Sequence, residues 1–410
     1  MNSSIDAVGG RERSRWRNGL LATLMGTLLS GSLQAAHADE VVVGLATAQS
    51  GFMAGYDGDA ANMAKLWIDD RNAAGGLLGQ QIIVTSADTK SDRIEGARAG
   101  QTVVDAGADI VIVTCDYDFG APAAGVAQRA NKVSVFLCAE DPKAGVQGAG
   151  AFAFTSSTAA HVQGAGIAEW AAKKLGMKRP YILLDTASEY NKSLCSGFRW
   201  ALSQLDGVEI VGEDTFVNDD ASIQSQITRI NGLAEQPDAI VLCSYIPGGA
   251  SALRQIRAAG IATPILAGSS MDGTYWTDSV PGLSDLFLPV QASVRGDDPR
   301  PEVNTMIARY EEKYKAKPFT VYALPIYAFL DLWAKAVEKA GTTDAEAVVP
   351  ILESYKDEPS FLGPRSFSSD LHIQQNADLL ILRYIDRTPK VVDTYRLSQP
   401  VPVDVLFKKN

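Results

Sequence analysis

The segment "VVVGLATAQSGFMAGYDGDAANMAKLWIDDRNAAGGLLGQQIIVTSADTKSD", residues 41–92, decides the fold class. It begins with the apolar run "VVVGLA" (41–46) and ends near "QIIVTSA" (81–87), and both runs are typical of buried strands. The apolar positions between them recur with the helical spacing i, i+3, i+4, i+7 and i+8, at Ala60, Met63, Ala64, Trp67 and Ile68. The segment therefore predicts a strand, a helix and a second strand, in that order.

The same alternation continues through the rest of the chain. Five further apolar runs predict strands: "DIVIVT" (109–114), "VSVFLC" (133–138), "YILLD" (181–185), "AIVLC" (239–243) and "PILAG" (264–268). Segments with helical spacing lie at about 93–107, 121–131, 159–175, 191–205, 222–234, 249–259, 301–316 and 323–340. Strands that are apolar on both faces are covered by helices on both sides, so the fold class is α/β with mostly parallel sheets.

Two rounds of strand and helix indicate two lobes. The segments "FAFTSST" (152–158) and "LFLPVQASV" (286–294) are interpreted as crossings between the lobes, and a third crossing precedes the C-terminal strands "ADLLILRYI" and "KVVDTYRL". We therefore expect one lobe to comprise 39–155 and 292–345, and the other 156–291 and 346–410. Sheets of this kind bind ligands at the carboxyl ends of their strands, so two facing lobes predict a cleft.

The first 38 residues predict a cleaved secretory signal peptide and export to the periplasm. They contain the basic segment "RERSRWRNG", the apolar run "LLATLMGTLLSGSL" and the small-residue site "AHA". The alternative is an anchoring helix, but the apolar run is shorter than the roughly 20 residues needed to span a bilayer. Without this segment the formal charge becomes −13, which disfavours nucleic acid and anionic lipid as partners.

The four cysteines of this exported chain can form disulfides in three different pairings. We favour Cys115 with Cys138, because each ends an apolar strand and only one helix separates them. Alternatively, all four cysteines, Cys195 and Cys243 included, are small buried residues without disulfides.

The sequence contains little that could support catalysis. It has neither a phosphate-binding GxxxxGK[ST] loop nor a GxGxxG fingerprint after the first strand. Beyond residue 38 the histidines are His161, expected to be solvated or to cap a helix, and His372, expected in a surface turn. We therefore expect no catalytic residues and no cofactor.

An acidic cluster follows two strands that would be neighbours in a parallel sheet. Its members are Asp116, Asp118, Glu140 and Asp141. Oxygen-rich clusters can bind hard cations, but "DYDFG" lacks the remaining spacing of a calcium-binding EF-hand loop. We expect no metal here and interpret most of these acids as helix caps.

The motifs "SGFMAGYDG", "WIDDRNAAGGLLG" and "ADTKSD" follow one another within residues 41–92, and "EYNKSL", "SYIPGGASALRQIRAAG" and "PILAGSS" follow later. This succession resembles the type I periplasmic solute-binding proteins of branched-chain amino acid (Leu/Ile/Val-binding) ABC transporters, over essentially the whole chain after residue 38. The resemblance implies two Rossmann-like lobes joined by three crossings, a hinge that closes on a small solute, and a membrane permease as partner. We expect the protein to be a monomer.

Three tyrosines occupy positions that match ligand-contacting tyrosines of the family. They are Tyr56 in the first motif, Tyr190 in "EYNKSL" and Tyr245 in "SYIPGG". The resemblance implies that these rings line the ligand cleft. The alternative is that each is a half-buried loop residue whose hydroxyl group bonds to the backbone.

Two loops depart from the family pattern. Where the family holds an α-carboxylate with small hydroxyl residues, this chain has "TCDYDFGAP" (114–122) and "LCAEDPKAG" (137–145). The family acid that receives the α-ammonium aligns with Ser270, and Asp272 stands two residues on. A buried carboxylate beside a ligand carboxylate is unfavourable, so the usual amino acid clamp is in question.

The remaining predicted pocket is rich in rings and acids. The rings are Phe52, Tyr56, Tyr117, Phe119, Tyr190, Tyr245, Tyr275 and Trp276. We expect one or two of the four clustered acids to touch the ligand. Aromatic faces beside carboxylates favour a cationic or amine solute, or else a hydroxylated or aromatic one.

The leading hypothesis is a periplasmic solute-binding protein for ABC import. The alternative is a periplasmic sensor that passes its loaded state to a signalling partner. An exported hydrolase is third, and would have to use His161 or His372.

Overall fold

A computed structural model describes residues 40–407, and the predicted signal peptide at 1–38 lies outside them. Within the described part of the chain, no helix combines the length and the apolar character needed to cross a membrane.

The N-terminal part of the described chain alternates between strands and helices. In chain order these are β1 (Val41–Thr47), α1 (Ala54–Ala73), β2 (Ile82–Asp88), α2 (Arg93–Asp105), β3 (Ile110–Val113), α3 (Tyr117–Arg129), β4 (Val133–Phe136) and β5 (Ala153–Phe154). The five strands form one parallel sheet in the order β2-β1-β3-β4-β5. All four side chains of β3 are buried, as expected for a strand covered on both faces.

A second series follows. It consists of α4 (Ala160–Trp170), β6 (Pro180–Asp185), α5 (Glu189–Leu202), β7 (Gly212–Phe216), α6 (Gln224–Asn231), β8 (Ala239–Cys243), α7 (Gly248–Ala258), β9 (Ile265–Ala267) and β10 (Leu286–Val290). A π-helical turn, Ala171–Leu175, extends α4.

The C-terminal part contributes helices and two final strands. These are α8 (Pro301–Tyr314), α9 (Pro325–Ala340), α10 (Ala345–Glu353), β11 (Leu379–Ile385), β12 (Thr388–Tyr395) and α11 (Val403–Leu406). The second sheet has the order β12-β11-β10-β9-β8-β6-β7 and is parallel except where β11 pairs with β10 and β12. Helix α9 packs on α1, where the rings of Trp67 and Trp333 lie 6.5 Å apart.

Both disulfides lie at strand ends. One joins Cys115, which follows β3, to Cys138, which follows β4, and this is the pairing favoured from the sequence. The other joins Cys195 in α5 to Cys243 at the end of β8. Each disulfide therefore links two neighbouring elements of one sheet layer.

Helices α4 and α5 are in close contact through glycine. A Cβ atom at Gly197 would collide with the backbone of His161, and one at Gly164 would collide with the carbonyl oxygen of Leu194. The absence of side chains at these two positions lets the backbones of the two helices meet.

The structure corrects several predicted elements. Helix α3 begins at Tyr117 rather than near 121, because the carboxylate of Asp116 caps it and Pro122 lies inside the helix. Residues 286–290 are not part of a crossing but form β10 within the second sheet. Helix α10 was not predicted from the sequence, and its packing against α9 explains why it forms.

Candidate functional site

The candidate site is a cavity of about 50 Å³ between the carboxyl ends of the two sheets. Its walls come from the segments after β1, β3 and β4 in one sheet and after β6, β8 and β9 in the other. One further residue comes from the short helix Val321–Ala323. The lining residues are Phe52, Met53, Tyr56, Cys115, Asp116, Tyr117, Phe119, Cys138, Ala139, Glu140, Asp141, Ser188, Tyr190, Tyr245, Ser270 and Tyr322.

Asp57 supports the first wall of the cavity from behind. It is fully buried, and its carboxylate accepts hydrogen bonds from the backbone N–H of Ala48, at 2.7 Å, and of Cys115, at 2.9 Å. It thereby fixes the loops after β1 and β3 relative to each other. Burial raises the pKa of Asp57 to about 7, against the effect of these two bonds.

Glu140 is a buried acid of the cavity wall. It is 3% exposed, and its Oε2 atom accepts hydrogen bonds from Ser269, at 2.6 Å, and Tyr322, at 2.9 Å. Both of these hydrogen bonds are to the same oxygen, and the side chain of Gln163 also favours the charged form of Glu140. Burial raises the pKa of Glu140 to about 7.

Two other acids line the cavity with different partners. The carboxylate of Asp116 caps α3 by accepting the N–H of Asp118 at 2.8 Å, and burial together with the charge of Asp118 raises the pKa of Asp116 to about 8. Asp141 uses both carboxylate oxygens, accepting from the N–H of Lys143 and from the hydroxyl group of Ser193. Asp141 is therefore satisfied by the protein, and its pKa is raised to about 6 by burial.

Tyr56 connects the two walls. Its hydroxyl oxygen accepts the N–H of Ile246 at 3.2 Å and lies 3.4 Å from the carbonyl oxygen of Ser270, to which it can donate. Both partners belong to loops of the second sheet, whereas Tyr56 lies in α1. The hydroxyl group therefore spans the cleft between the sheets.

Aromatic rings form the rest of the wall. Phe52 lies edge-on to Phe119, with ring centroids 5.2 Å apart, and is stacked 6.4 Å from Tyr245. Deeper in the cavity, the rings of Tyr56 and Tyr322 lie 5.8 Å apart. Phe52 is 42% exposed, which identifies its end of the cavity as the mouth.

Most of the residues predicted from the sequence meet at this cavity. Those that line it are Tyr56, Asp116, Tyr117, Phe119, Glu140, Asp141, Tyr190, Tyr245 and Ser270. Asp118 lies outside the lining, with one oxygen 3.2 Å from Arg93 and the other accepting the N–H of Glu189 at 2.9 Å. Asp272 also lies outside, where it pairs with Arg295 at 2.5 Å and accepts the N–H of Val321.

Several residues of the site were missed from the sequence. Tyr322 lies far along the chain from Glu140 and carries no motif of its own, whereas Ser269 lies in the motif "PILAGSS" next to the predicted Ser270. Asp57 could have been found from the sequence. It stands three residues before Ala60, so this acid lies on the otherwise apolar stripe of α1. Of the predicted rings, Tyr275 and Trp276 do not line the cavity, and Trp276 packs near Tyr384 instead.

Both histidines differ from their predicted surroundings. His372 is not in a surface turn: it is 1% exposed, its ring stacks 3.7 Å from that of Phe154, and it pairs with Glu353 at 3.1 Å. His161 is 4% exposed rather than solvated, and burial lowers its pKa to about 4. Neither lines the cavity described above. Within residues 40–407, no group of three or more His, Cys, Asp or Glu side chains is arranged to hold a metal ion.

The buried acids predict a pH dependence of stability. The folded-state pKa values of Asp57, Asp116 and Glu140 are raised to about 7, 8 and 7. The folded protein therefore retains protons that the unfolded chain has released, and stability is lost as the pH rises through 7 to 8. His161 acts in the opposite direction, but only below about pH 6.5.

Between pH 6.5 and 8.5 we expect the free energy of unfolding of the ligand-free protein to fall by about 1 kcal/mol for each of these groups. Urea unfolding at several pH values measures this change. A Glu140→Gln variant serves as the comparison and should show a shallower fall. A free energy of unfolding that rises over this interval would contradict the assignment.

The chain is similar to known proteins in both sequence and fold. A family model described as periplasmic binding protein matches residues 40–386. The Leu/Ile/Val-binding protein BraC3 of Rhizobium johnstonii is 26% identical over 352 residues, which cover 84% of this chain and 91% of that protein.

Two solved structures share the fold. The branched-chain amino acid transporter substrate binding protein LivJ from Streptococcus pneumoniae, in complex with isoleucine, has a TM-score of 0.77 and 24% identity, covering 88% of this chain and all of that one. A solute binding protein of an ABC transporter from Rhodopseudomonas palustris, in complex with 3,4-dihydroxy benzoic acid, has a TM-score of 0.72 and 18% identity, with coverage of 87% and 97%.

Proposed function

Because the chain belongs to the periplasmic binding protein family, we propose that it is the solute-binding component of an ABC importer. In this proposal it captures a small solute, which is amino-acid-like, an amine, or an aromatic or hydroxylated compound, and delivers it to a membrane permease. It acts in the periplasm as a monomer and binds its solute without converting it. The signal peptide predicted at 1–38 would direct its export.

The proposal is supported by a cavity whose walls come from both sheets. Residues after three strands of each sheet line one enclosed space. A solute in that space touches both sheets at once, and only a ligand with contacts on both sides favours the closed arrangement over an open one.

The proposal also assigns the moving bodies. We take residues 39–155 with 292–345 as one lobe and 156–291 with 346–410 as the other. Helix α10 (Ala345–Glu353) packs against α9, so we propose that the first lobe extends to 353 rather than ending at 345. The hinge would then comprise the three chain crossings between the lobes.

A thermal-shift screen with amino acids, amines, amides, aromatic acids and alcohols tests the binding function. A ligand that binds only the folded state adds about 2.7 kcal/mol when present at 100 times its dissociation constant. Isolation of the protein with a permease from membranes of its native host, dependent on that ligand, tests delivery. Absence of any shift, together with absence of a permease partner, would overturn the proposal.

Replacing Tyr56 with phenylalanine should weaken solute binding about 5- to 30-fold, because it removes a hydroxyl group that bonds across the cleft to Ile246. Isothermal titration calorimetry with the solute found in the screen measures the change. Tyr314→Phe is the matched control, since the hydroxyl group of Tyr314 bonds to Asn62 in α1 and does not cross the cleft. Equal losses in both variants would contradict a role in closure.

A further inference from the structure

The charged side chains that line the cavity are all acidic. Of the described residues that line it, Asp116, Glu140 and Asp141 are acidic, and none is lysine, arginine or histidine. A bound anion would therefore have no cationic partner and would face carboxylates at short range. Like charges in a buried site are strongly unfavourable.

The nearest cations are already paired with other acids. Lys143 bonds to Glu189, and Arg295 bonds to Asp272. Arg93 lies 3.2 Å from Asp118 and its guanidinium group sits 5.6 Å from the ring centroid of Phe119, outside the cavity lining. Reorienting any of these cations toward a ligand would break an existing ion pair.

The N-terminus of α3 is also occupied. Helix N-termini attract anions through their free N–H groups and the helix dipole. In this protein the carboxylate of Asp116 already takes that position by capping the N–H of Asp118 at 2.8 Å. The hydroxyl group of Ser270 donates to the carbonyl oxygen of Ser244 at 2.7 Å and is not free for a ligand carboxylate.

Glu140 is the acid best placed to receive a cation. Asp141 has its two oxygens bonded to two different donors of the protein, whereas the hydroxyl groups of Ser269 and Tyr322 both donate to one oxygen of Glu140, Oε2. The rings of Tyr190 and Tyr322 line the cavity with Glu140, and Tyr56 lies beside Tyr322. A carboxylate beside several aromatic faces supplies both an ion pair and cation-π contact.

Resting on the function proposed above, we infer that the solute is a small organic cation, an amine or quaternary ammonium compound without a carboxylate group, whose charge lies beside Glu140. An α-amino acid would satisfy Glu140 with its ammonium group, but its carboxylate would find no cationic partner among the lining residues and would face Asp116 and Asp141. An aromatic acid would meet only like charge.

The proposal predicts a proton linkage. Burial holds the pKa of Glu140 at about 7 and that of Asp116 at about 8, and a cation favours the charged form of both. The groups that face Glu140 are Ser269, Gln163, Tyr322, Tyr190 and Asp272, and those that face Asp116 are Asp118, Asp141 and Tyr245. None of these is a cation, so affinity for an amine should rise between pH 6 and 8.5.

Two sets of compounds test whether the site prefers a cationic ligand. Within each set the hydrocarbon part is similar and the charged or polar group differs. The first contains 3-methylbutylamine, 3-methylbutan-1-ol, 3-methylbutanoate and leucine. The second contains phenethylamine with benzyltrimethylammonium, 2-phenylethanol, phenylacetate and phenylalanine. Calorimetric titration at pH 8 should show binding of a cationic member at least about 30-fold tighter than its neutral and carboxylate counterparts.

Each outcome decides the inference. Tighter binding of leucine, phenylalanine or either acid overturns the cation inference while the binding function stands. Tighter binding of an alcohol overturns it in the same way. If no compound of the two sets or of the wider screen binds, the cation inference and the proposed function both fail.

Glu140→Gln should weaken binding of the cation by about 30-fold or more and remove most of its pH dependence. Glu169→Gln is the control, because Glu169 is also buried and bonded to a hydroxyl group, that of Ser398, but does not line the cavity. Unchanged cation affinity in Glu140→Gln would overturn the assignment.

The wild-type protein provides a second readout if Glu140→Gln does not fold. Titration at pH 7 in buffers of different ionisation enthalpy measures the protons exchanged on binding. Release of protons with the bound cation is expected. Uptake of protons, or no exchange, would contradict it.

Discussion

Replacing both Cys195 and Cys243 with alanine should lower the free energy of unfolding by about 4 kcal/mol. The two cysteines are 48 residues apart, and a crosslink that closes a loop of this length removes much conformational freedom from the unfolded chain. The disulfide also fixes α5 to β8, and two residues of the cavity wall depend on these elements: Tyr190 lies in the first turn of α5, and Tyr245 follows β8. Urea unfolding of the oxidised wild type and the double variant measures the difference.

The second disulfide is the matched comparison. Cys115 and Cys138 are 23 residues apart, so their replacement with alanine should cost less, about 3 kcal/mol. Thiol titration of the native protein checks that all four cysteines are bonded. Free thiols in the native state, or a loss below about 1 kcal/mol in the Cys195/Cys243 variant, would show that this disulfide does not stabilise the fold.

Gly197→Ala should lower the free energy of unfolding by about 3 kcal/mol or more. The added methyl group would meet the backbone of His161, and backbone atoms in a packed helix cannot move aside as a flexible side chain can. Helix α5 would have to separate from α4. The midpoint of thermal unfolding and the urea midpoint both report the loss.

Gly58→Ala controls for the alanine itself. Gly58 also lies within a helix, α1, but a Cβ atom there meets no atom within 4 Å. This substitution should stabilise the protein by about 0.5–1 kcal/mol, because alanine restricts the unfolded chain more than glycine does. Stabilisation by both substitutions would contradict the close contact of α4 and α5.

Much of the fold was predictable because its strands are buried on both faces. Runs such as residues 110–113 and 239–243 lack polar positions, so they indicate parallel strands without any knowledge of their neighbours. Helix boundaries that depend on a single capping residue were harder to predict. The sequence "CDYDFGAP" contains a proline that fits the first turn of a helix, and only the bond from Asp118 N–H to Asp116 shows that the helix begins earlier.

The candidate site was partly predictable for a related reason. The carboxyl ends of parallel strands meet at one edge, so the loops containing Tyr117 and Glu140 were expected there. Partners that come from remote segments left no local pattern: Tyr322 lies 182 residues from Glu140. The roles of Asp116 and Asp118 could not be separated either, because their directions depend on where α3 begins.

The contacts across the cleft differ in their exposure to water from one end to the other. Outside the cavity lining, the side chain of Lys143, which bonds to Glu189, is 46% exposed, whereas Glu140 with its hydroxyl partners is almost fully enclosed. Ionic strength screens exposed charges much more than buried ones. Salt should therefore weaken the Lys143–Glu189 pair that joins the two lobes more than it weakens the enclosed contacts at Glu140.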